Sequence, residues 1–301
     1  MNCPLCNGKD IIILETINKD DIIRLYRKML NIDVSYLIVH DIDFCECENC
    51  KLRFYNPLIT GDEKFYNSLQ KFDWYYMDDK EEYRYAAKFI SPNDKVLEIG
   101  SGKGAFAKHL ATKDYIGLDI SQNAKEMAAK NGVNIENETI EDYALKHKEE
   151  FDVVVSFQVL EHVRDPKSFI EASLYALKKG GRLIIAVPSE DSFLKYVTNG
   201  ILNMPPHHVT RWSDAKFEYI ASKYDLDIET IYHEKLQDVH KRWYLHTLVF
   251  KSLCGYKLIS TSIFTRIVSK FSSLLFRLLV RGLEKEMLPN GHTVLVVFRK
   301  K

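Results

Sequence analysis

Short apolar runs alternate with segments of helical character through the middle of the chain. The runs at 96–99 and 115–118 are largely apolar, and the run at 152–156 is expected to be a central parallel strand buried on both faces. An alternation of strands and helices brings successive strands into one parallel sheet with helices on its two faces. The pattern therefore predicts a doubly wound α/β fold whose ligands bind at the carboxyl ends of the strands.

Helix caps and chain breakers place the elements around these strands. Ser121 is an N-cap residue, and Ser91-Pro92-Asn93-Asp94 breaks a helix just before the first strand of the sheet. Helices are predicted at 20–29, 81–90, 104–112 and from 122 to about 131, with further strands at 133–135 and 226–232.

Composition narrows the class of protein. The chain has 301 residues, of which 46% are hydrophobic, so it can bury a sizeable core. Its formal net charge is zero, which gives no global argument for nucleic-acid binding. No signal peptide and no membrane-spanning run are expected, and the expected location is a reducing cytoplasm.

Two Cys-x-x-Cys pairs near the N-terminus indicate a metal site. Cys3 and Cys6 form the first pair, and Cys47 and Cys50 form the second. Thiolates at this spacing wrap around one tetrahedral Zn²⁺, and a closed four-sulfur site is structural because it leaves no open position. The pattern predicts a zinc-binding module at 1–60, with Cys45 as an alternative ligand to Cys47.

A glycine-rich turn comes directly after the first strand of the sheet. Residues 96–104 read Val-Leu-Glu-Ile-Gly-Ser-Gly-Lys-Gly, and the next strand ends at Asp119, which is placed to accept hydrogen bonds from a ribose diol. Gly100, Gly102 and Ala105 also match the dinucleotide fingerprint, so NAD is an alternative. The carboxylate of Glu98 favours S-adenosylmethionine (SAM) instead, because it would repel a pyrophosphate and attract a sulfonium and an ammonium.

These segments resemble the class I SAM-dependent methyltransferases. The apolar strand and loop at 151–163, the Gly180-Gly181 turn with its strand to Pro188, and the terminal run at 291–298 resemble the family's fourth, fifth and seventh strands. The resemblance implies a seven-stranded, Rossmann-like sheet built from 61–235 and 289–301, with the last strand antiparallel. It also includes a similarity to bacterial sugar- or glycan-locus members with an N-terminal zinc module. The cofactor-binding residues that it implies are Glu98, Gly100, Ser101, Gly102, Gly104, Asp119, Ile120, Ile140, Glu141, Ser156 and Gln158.

The same resemblance leaves 236–288 as an insertion before the last strand. From Val239 to Leu283 there is no Asp or Glu, whereas cations alternate with apolar residues as in a basic amphipathic helix. One interpretation is peripheral docking of 239–283 at an anionic membrane surface or onto a lipid-linked substrate. The other is a helical lid or dimer face that packs onto the domain.

The acceptor side of the reaction is less determined by the sequence. Methyl transfer to a hydroxyl needs a base, and histidine titrates near neutrality. His207 or His208 is the first candidate and His162 the next, although two adjacent histidines on an extended segment would point in opposite directions. Tyr75 and Tyr76 are candidate substrate contacts, and Arg211 is a candidate for an anionic group of the substrate.

The sequence therefore predicts methyl transfer to a small-molecule or glycan acceptor, with a sugar hydroxyl as the first candidate. A nucleotide-dependent oxidoreductase and a non-catalytic zinc and membrane-docking protein remain alternatives. A nucleic-acid substrate is disfavoured, because no Asn/Asp-Pro-Pro-Tyr/Phe motif follows the fourth strand.

Overall fold

The structure, a computed structural model, describes residues 1–72, 75, 77–265, 267–268 and 289–301. Tyr76 and most of the segment 266–288 lie outside the described residues. In the first part of the chain the elements are β1 (Ile11–Ile17), α1 (Lys19–Leu30), β2 (Ile42–Cys47), β3 (Arg53–Asn56), α2 (Glu63–Leu69) and α3 (Glu81–Ala86). They are followed by β4 (Val96–Ile99), β5 (Tyr115–Leu118), α4 (Gln122–Lys130), β6 (Ile135–Glu136), α5 (Ile140–Ala144), β7 (Phe151–Phe157), α6 (Pro166–Ala176), β8 (Leu177–Pro188), β9 (Thr210–Arg211), α7 (Asp214–Tyr224), β10 (Leu226–Lys235), α8 (Lys241–Cys254) and β11 (Asn290–Lys300).

Seven strands form one mixed sheet in the order β10-β11-β8-β7-β4-β5-β6. Neighbouring strands are parallel along the part of the sheet that runs β8-β7-β4-β5-β6. Strand β11 lies between β8 and β10 and is antiparallel to both. Val154 and Ile185 lie in the middle of this sheet and are fully buried. The doubly wound, seven-stranded fold predicted from the sequence is confirmed.

The helix predicted at 104–112 is wrong. Gly104 has a φ of +74°, which interrupts helical backbone, and only a short 3-10 turn forms at Phe106–His109. Phe106 is fully buried against the rings of Tyr83 and Phe157, with centroids 5.5 and 4.7 Å away. Packing of this aromatic group, and not helix propensity, determines the backbone after the glycine loop.

A second, four-stranded sheet has the order β1-β2-β3-β9, and all its pairs are antiparallel. Its edge strand β9 comes from a segment more than 150 residues beyond β3, so the sheet is not built from the N-terminal residues alone. Leu5, Cys47 and Phe54 share one hydrophobic core with Trp212 and Phe217. The N-terminal region is therefore packed continuously onto the large sheet, while the domain limits 1–60, 61–235 and 289–301 stay predictions.

Helix α8 is the well-described part of the predicted insertion. Its Trp243 and Tyr244 pack edge-on against the ring of Phe193, at centroid distances of 5.0 and 5.8 Å. The membrane prediction depends on the eight Lys and Arg residues between 239 and 283. Four of them lie outside the described residues: Arg266, Lys270, Arg277 and Arg281. Contact of 239–283 with an anionic membrane stays a prediction. In the part of the chain that the structure describes, no helix is long and apolar enough to cross a membrane.

Candidate active site

A cleft of about 2630 Å³ opens at the carboxyl edge of the seven-stranded sheet, where β4, β5 and β7 end. Ligand pockets in proteins usually measure about 300–1,000 Å³. The cleft is thus large enough for a nucleoside cofactor together with a second molecule. Helix α8 contributes Trp243, Thr247 and Phe250 to one wall, as a helical cover over the site would.

The glycine loop after β4 is held in a conformation that only glycine adopts easily. Gly100 has a φ of +71°, and a Cβ there would lie 2.3 Å from Cγ2 of Val159. Gly102 has a φ of +52°, and its backbone N–H donates a 2.8 Å hydrogen bond to Oδ2 of Asp119. The other carboxylate oxygen of Asp119 accepts a hydrogen bond from Ser121 N, also at 2.8 Å. Asp119 therefore ties the glycine loop to the N-terminus of α4, and burial raises its pKa.

Most of the predicted cofactor residues line this cleft together: Gly100, Ser101, Gly102, Asp119, Ile120, Ile140, Glu141 and Gln158. Gly104, Ser156 and Glu98 are not part of its lining. The hydroxyl of Ser156 is buried and has no hydrogen-bond partner among the described residues. Thr139, just before α5, accepts a hydrogen bond from Asp142 N and caps that helix.

Glu98 lies behind the glycine loop. It is 2% exposed, and the hydroxyl of Tyr115 donates a hydrogen bond to its Oε2. Burial raises the pKa of Glu98 to about 8, and the nearby charge of Asp119 adds to the rise. A contact of this carboxylate with a bound cofactor was expected, but Glu98 does not line the cleft.

The buried Glu98 predicts a pH-dependent stability. In the folded chain this carboxyl keeps its proton up to about pH 8, whereas in the unfolded chain it loses the proton near its ordinary pKa. Its contribution is therefore fully present at acid pH and is lost as the pH rises towards 8. In denaturant titrations, the free energy of unfolding of Glu98→Gln, relative to that of the wild type, should rise by on the order of 3 kcal/mol between pH 5 and pH 8. Glu126→Gln, at an exposed site on α4, is the control and should show parallel curves; parallel curves for Glu98→Gln would contradict the prediction.

Three histidines form a cluster in the wall of the cleft. His162 follows β7, His207 and His208 precede β9, and one ring nitrogen of each lies within 4.8 Å of the others. The ring of His162 meets those of His207 and His208 edge-on, at centroid distances of 4.5 and 4.7 Å. The two segments are joined by a backbone hydrogen bond of 2.8 Å from Val209 N to Glu161 O. The structure thus brings all three predicted catalytic histidines together.

The expectation that His207 and His208 point in opposite directions is wrong. Their rings are stacked, with centroids 4.5 Å apart and planes 20° apart. The backbone N–H groups of both residues donate to the carbonyl oxygen of Met204, at 3.1 Å each, so the segment is a turn. The alternation of side chains that an extended strand imposes does not apply to a turn.

Hydrogen bonds fix the tautomer of each imidazole. Nδ1 of His162 contacts His207 O at 2.6 Å, Nδ1 of His207 contacts Leu202 O at 2.8 Å, and Nδ1 of His208 contacts Asn203 Oδ1 at 3.2 Å. A carbonyl oxygen only accepts, so Nδ1 carries the hydrogen in all three rings and Nε2 keeps its lone pair. Burial lowers the pKa of His162 to about 4, and it lowers the pKa values of His207 and His208 well below the ordinary value. The cluster is neutral at physiological pH.

Glu161 is a site residue that the sequence reasoning did not select. It is 1% exposed, and neither carboxylate oxygen has a hydrogen-bond partner in the described part of the chain. Its Oε1 lies 3.7 Å from Nε2 of His162 and 3.9 Å from Nε2 of His208. Burial raises the pKa of Glu161 to about 8. Its place directly after β7 and beside His162 was the available signal.

Of the predicted substrate contacts, Tyr75 lines the cleft, whereas Tyr76 lies outside the described residues. Arg211 is 5% exposed and is not part of the cleft lining. Its guanidinium donates to the hydroxyl of Tyr55 at 2.6 Å and stacks 4.6 Å from the ring centroid of Phe44. These contacts hold the Arg211 side chain against the small sheet, outside the lining of the cleft.

The four cysteines of the two Cys-x-x-Cys pairs converge. Cys3 Sγ lies 3.4 Å from Cys50 Sγ, Cys6 Sγ lies 3.5 Å from Cys47 Sγ, and all four sulfurs lie within 4.8 Å of one another. Cys45, two residues earlier on β2, lies outside the cluster, with Met1 Sδ at 3.6 Å from its sulfur. Four converging sulfurs fit a tetrahedral zinc ion, and Cys47 rather than Cys45 belongs to the set.

The fold is that of a methyltransferase domain. The chain belongs to the methyltransferase domain family, whose model matches residues 74–231. Its fold is similar to that of a SAM-dependent methyltransferase of Thermotoga maritima, described as a possible histamine N-methyltransferase. That comparison has a TM-score of 0.53 and 21% identity, and it covers 79% of this chain and 98% of the other.

Two curated relatives match a shorter part of the chain. An uncharacterized protein of Methanocaldococcus jannaschii is 41% identical over 109 residues, which cover 36% of this chain and 52% of that protein. The ubiquinone biosynthesis O-methyltransferase of Salmonella newport is 36% identical over 124 residues, which cover 37% of this chain and 51% of that enzyme. The chain spans about half the length of the curated relatives that it matches.

Proposed function

We propose that the chain transfers the methyl group of SAM to a hydroxyl oxygen of a small-molecule or glycan acceptor, with a sugar hydroxyl as the first candidate. The observation that carries the proposal is the neutral cluster of His162, His207 and His208 in the wall of the cofactor cleft. Methyl transfer to an oxygen requires the hydroxyl to lose its proton, and a neutral imidazole can accept that proton. The sulfonium of SAM supplies the leaving group, so the protein must align the acceptor with the methyl group and remove the proton.

In this proposal the glycine loop and the end of β5 hold the nucleoside. The loop lets the backbone approach the cofactor closely, and Asp119 accepts hydrogen bonds from the ribose diol. Ile140 and Glu141 lie beside the adenine, and Gln158 lines the cofactor pocket. Support comes from the convergence of these residues on one cleft at the carboxyl edge of the sheet.

Two acceptor classes have support of different kinds. A sugar or glycan hydroxyl is favoured by the resemblance of the chain, with its N-terminal cysteine pairs, to glycan-locus methyltransferases. An acceptor in ubiquinone biosynthesis is the second candidate, because the Salmonella relative carries that name. Both are oxygen acceptors, and in both cases an imidazole of the histidine cluster would remove the proton of the hydroxyl.

We also propose that the four-cysteine cluster holds a structural Zn²⁺. Cys3, Cys6, Cys47 and Cys50 would occupy all four positions of a tetrahedral ion. Gly8 N donates a 3.3 Å hydrogen bond to Cys6 Sγ, which is the kind of contact that stabilises a metal-bound thiolate.

Methyl-labelled SAM with panels of sugar nucleotides, lipid-linked sugars and phenols tests the proposed reaction. We expect labelled O-methyl groups in the product by NMR. His208→Gln should lower kcat by about 10²-fold or more while leaving SAM affinity unchanged. His40→Gln, at an exposed site far along the chain, is the control. Label on nitrogen or carbon, or full activity in the Gln variants of all three histidines, would overturn the proposal.

A further inference from the structure

The histidine cluster has the ligand atoms of a metal site. A tetrahedral zinc ion lies about 2.0–2.1 Å from imidazole nitrogens, which places those nitrogens about 3.3 Å from one another. One ring nitrogen of each of His162, His207 and His208 already lies within 4.8 Å of the other two. Ring movements of about 1 Å would bring them onto a common ion.

The surroundings of the three rings are those that metal-binding histidines usually have. A metal-ligating imidazole donates its second ring N–H to a carbonyl or carboxylate, and this bond orients the ring and fixes the tautomer. All three rings donate from Nδ1 to a carbonyl oxygen, and in each case the lone pair is left on Nε2. Simple packing of imidazoles in a core does not require the same nitrogen to be engaged three times.

The carboxylate of Glu161 is the second, independent observation. It is 1% exposed and neither of its oxygens has a hydrogen-bond partner among the described residues, although a buried polar group without a partner is costly. One of its oxygens lies within 4 Å of Nε2 of both His162 and His208. A cation placed among these atoms would give the carboxylate its missing partner.

We propose that His162, His207, His208 and Glu161 bind one divalent transition-metal ion in the wall of the cofactor cleft. Imidazole and carboxylate ligands suit Zn²⁺ and Fe²⁺ better than Ca²⁺ or Mg²⁺, which prefer oxygen ligands throughout. All four residues line the cleft, so the ion has an entry path and can accept a further ligand. The site differs in chemistry from the four-cysteine cluster, which offers only sulfur.

A metal at this position would change how the acceptor is activated. An ion held by these residues would help a bound hydroxyl to lose its proton to water; the oxygen would then form the bond to the methyl carbon while the carbon–sulfur bond breaks, leaving S-adenosylhomocysteine. The imidazoles then act as ligands instead of taking the proton themselves. This role rests on the proposed function, whereas the metal site itself rests on geometry alone.

Cobalt titration of the full chain, in which bound metals are exchanged for Co²⁺ by dialysis without a metal-free step, tests the site. Co²⁺ bound to thiolates shows an intense charge-transfer band, whereas Co²⁺ bound to imidazole and carboxylate shows only weak d–d bands. We expect about two equivalents of Co²⁺ per chain, one with each signature. His208→Gln should lose the second signature alone, Glu161→Gln should weaken it by about 10-fold or more, and His40→Gln should keep both. Wild-type protein that binds Co²⁺ with the thiolate signature only would overturn the proposal, whatever the variants do.

The two proposals fail in different ways. Full methyl transfer by protein stripped of the second metal would overturn the metal's proposed role and leave the proposed function intact. Two Co²⁺ signatures without methyl transfer to any hydroxyl acceptor would support the site and count against the proposed function.

Discussion

Replacement of Asp119 by Asn is expected to raise the dissociation constants for SAM and S-adenosylhomocysteine by about 100-fold or more. The carboxylate already accepts hydrogen bonds from Gly102 N and Ser121 N, one on each oxygen. Each oxygen has a second lone pair that can accept a hydrogen bond from the ribose diol. Two charge-assisted hydrogen bonds are each worth about 1.5–3 kcal/mol, and an amide group cannot replace both because it has one acceptor atom.

Calorimetric titration with both nucleosides measures this effect directly. Asp225→Asn is the matched control, because Asp225 is an exposed residue with left-handed backbone after α7, a conformation that Asn tolerates. The control should bind both nucleosides like the wild type. Asp119→Glu keeps the charge but moves it by one methylene, and it should bind more tightly than Asp119→Asn. A change of less than about tenfold for Asp119→Asn, in a variant that still unfolds cooperatively, would contradict the ribose assignment.

The large sheet and the glycine-loop side of the cleft could be predicted because their signals are local in sequence. A run such as 152–156 is apolar for the same reason that β7 is buried on both faces. The glycine loop and Asp119 follow directly from the ends of β4 and β5. The positive φ at position 100 requires glycine, and the contact of the loop with the end of the next strand requires Asp119, so both features can be recognised in the sequence.

The acceptor half of the cleft could not be predicted in the same way, because it depends on contacts between distant segments. Strand β9 pairs with β3, and this pairing carries Arg211 into the contact with Tyr55 and Phe44. Sequence reasoning considered Arg211 as a free cation and assigned it to a substrate. The orphaned carboxylate of Glu161 is likewise visible only once the two histidine segments are brought together.

At two positions the structure differs from the local structure that the residue pattern predicted. The segment 104–112 has adequate helix formers, yet Gly104 and the buried ring of Phe106 hold it in a short 3-10 turn. His207 and His208 would alternate on a strand, but both amides bond to Met204 O and the rings stack. At 104–112 tertiary packing outweighs a helix preference that is worth less than about 1 kcal/mol per residue, whereas at His207 and His208 a local turn replaces the extended backbone.

Replacement of Cys47 by Ser is expected to remove the proposed structural zinc and to destabilise the chain by about 5 kcal/mol or more. Cys47 is fully buried, and its sulfur lies 3.5 Å from that of Cys6. Loss of one thiolate leaves three ligands and opens a closed site. A loss of this size should lower the melting temperature by about 10 °C or more in a chain of this length.

The loss of zinc should also reach the acceptor side of the cleft. The N-terminal region holds the histidine segment through hydrogen bonds from Tyr26 to Ile201 O, at 2.8 Å, and from Tyr55 to Asn203 O, at 3.0 Å. Gly61 N donates a further bond of 2.7 Å to Pro206 O. Methyl transfer should therefore fall more steeply than SAM affinity when zinc is removed, because the glycine loop makes none of these contacts.

Metal analysis of purified variants and calorimetric unfolding check this prediction together. Cys45→Ser is the matched control on the same strand, since Cys45 lies outside the cluster, and it should keep its zinc even if it unfolds at a lower temperature. Cys254→Ser, near the end of α8, should keep both zinc and stability. If Cys47→Ser retained a full complement of zinc while Cys45→Ser lost it, the ligand set would have to be reassigned. If neither variant changed the zinc content, the four-sulfur site would not hold the metal.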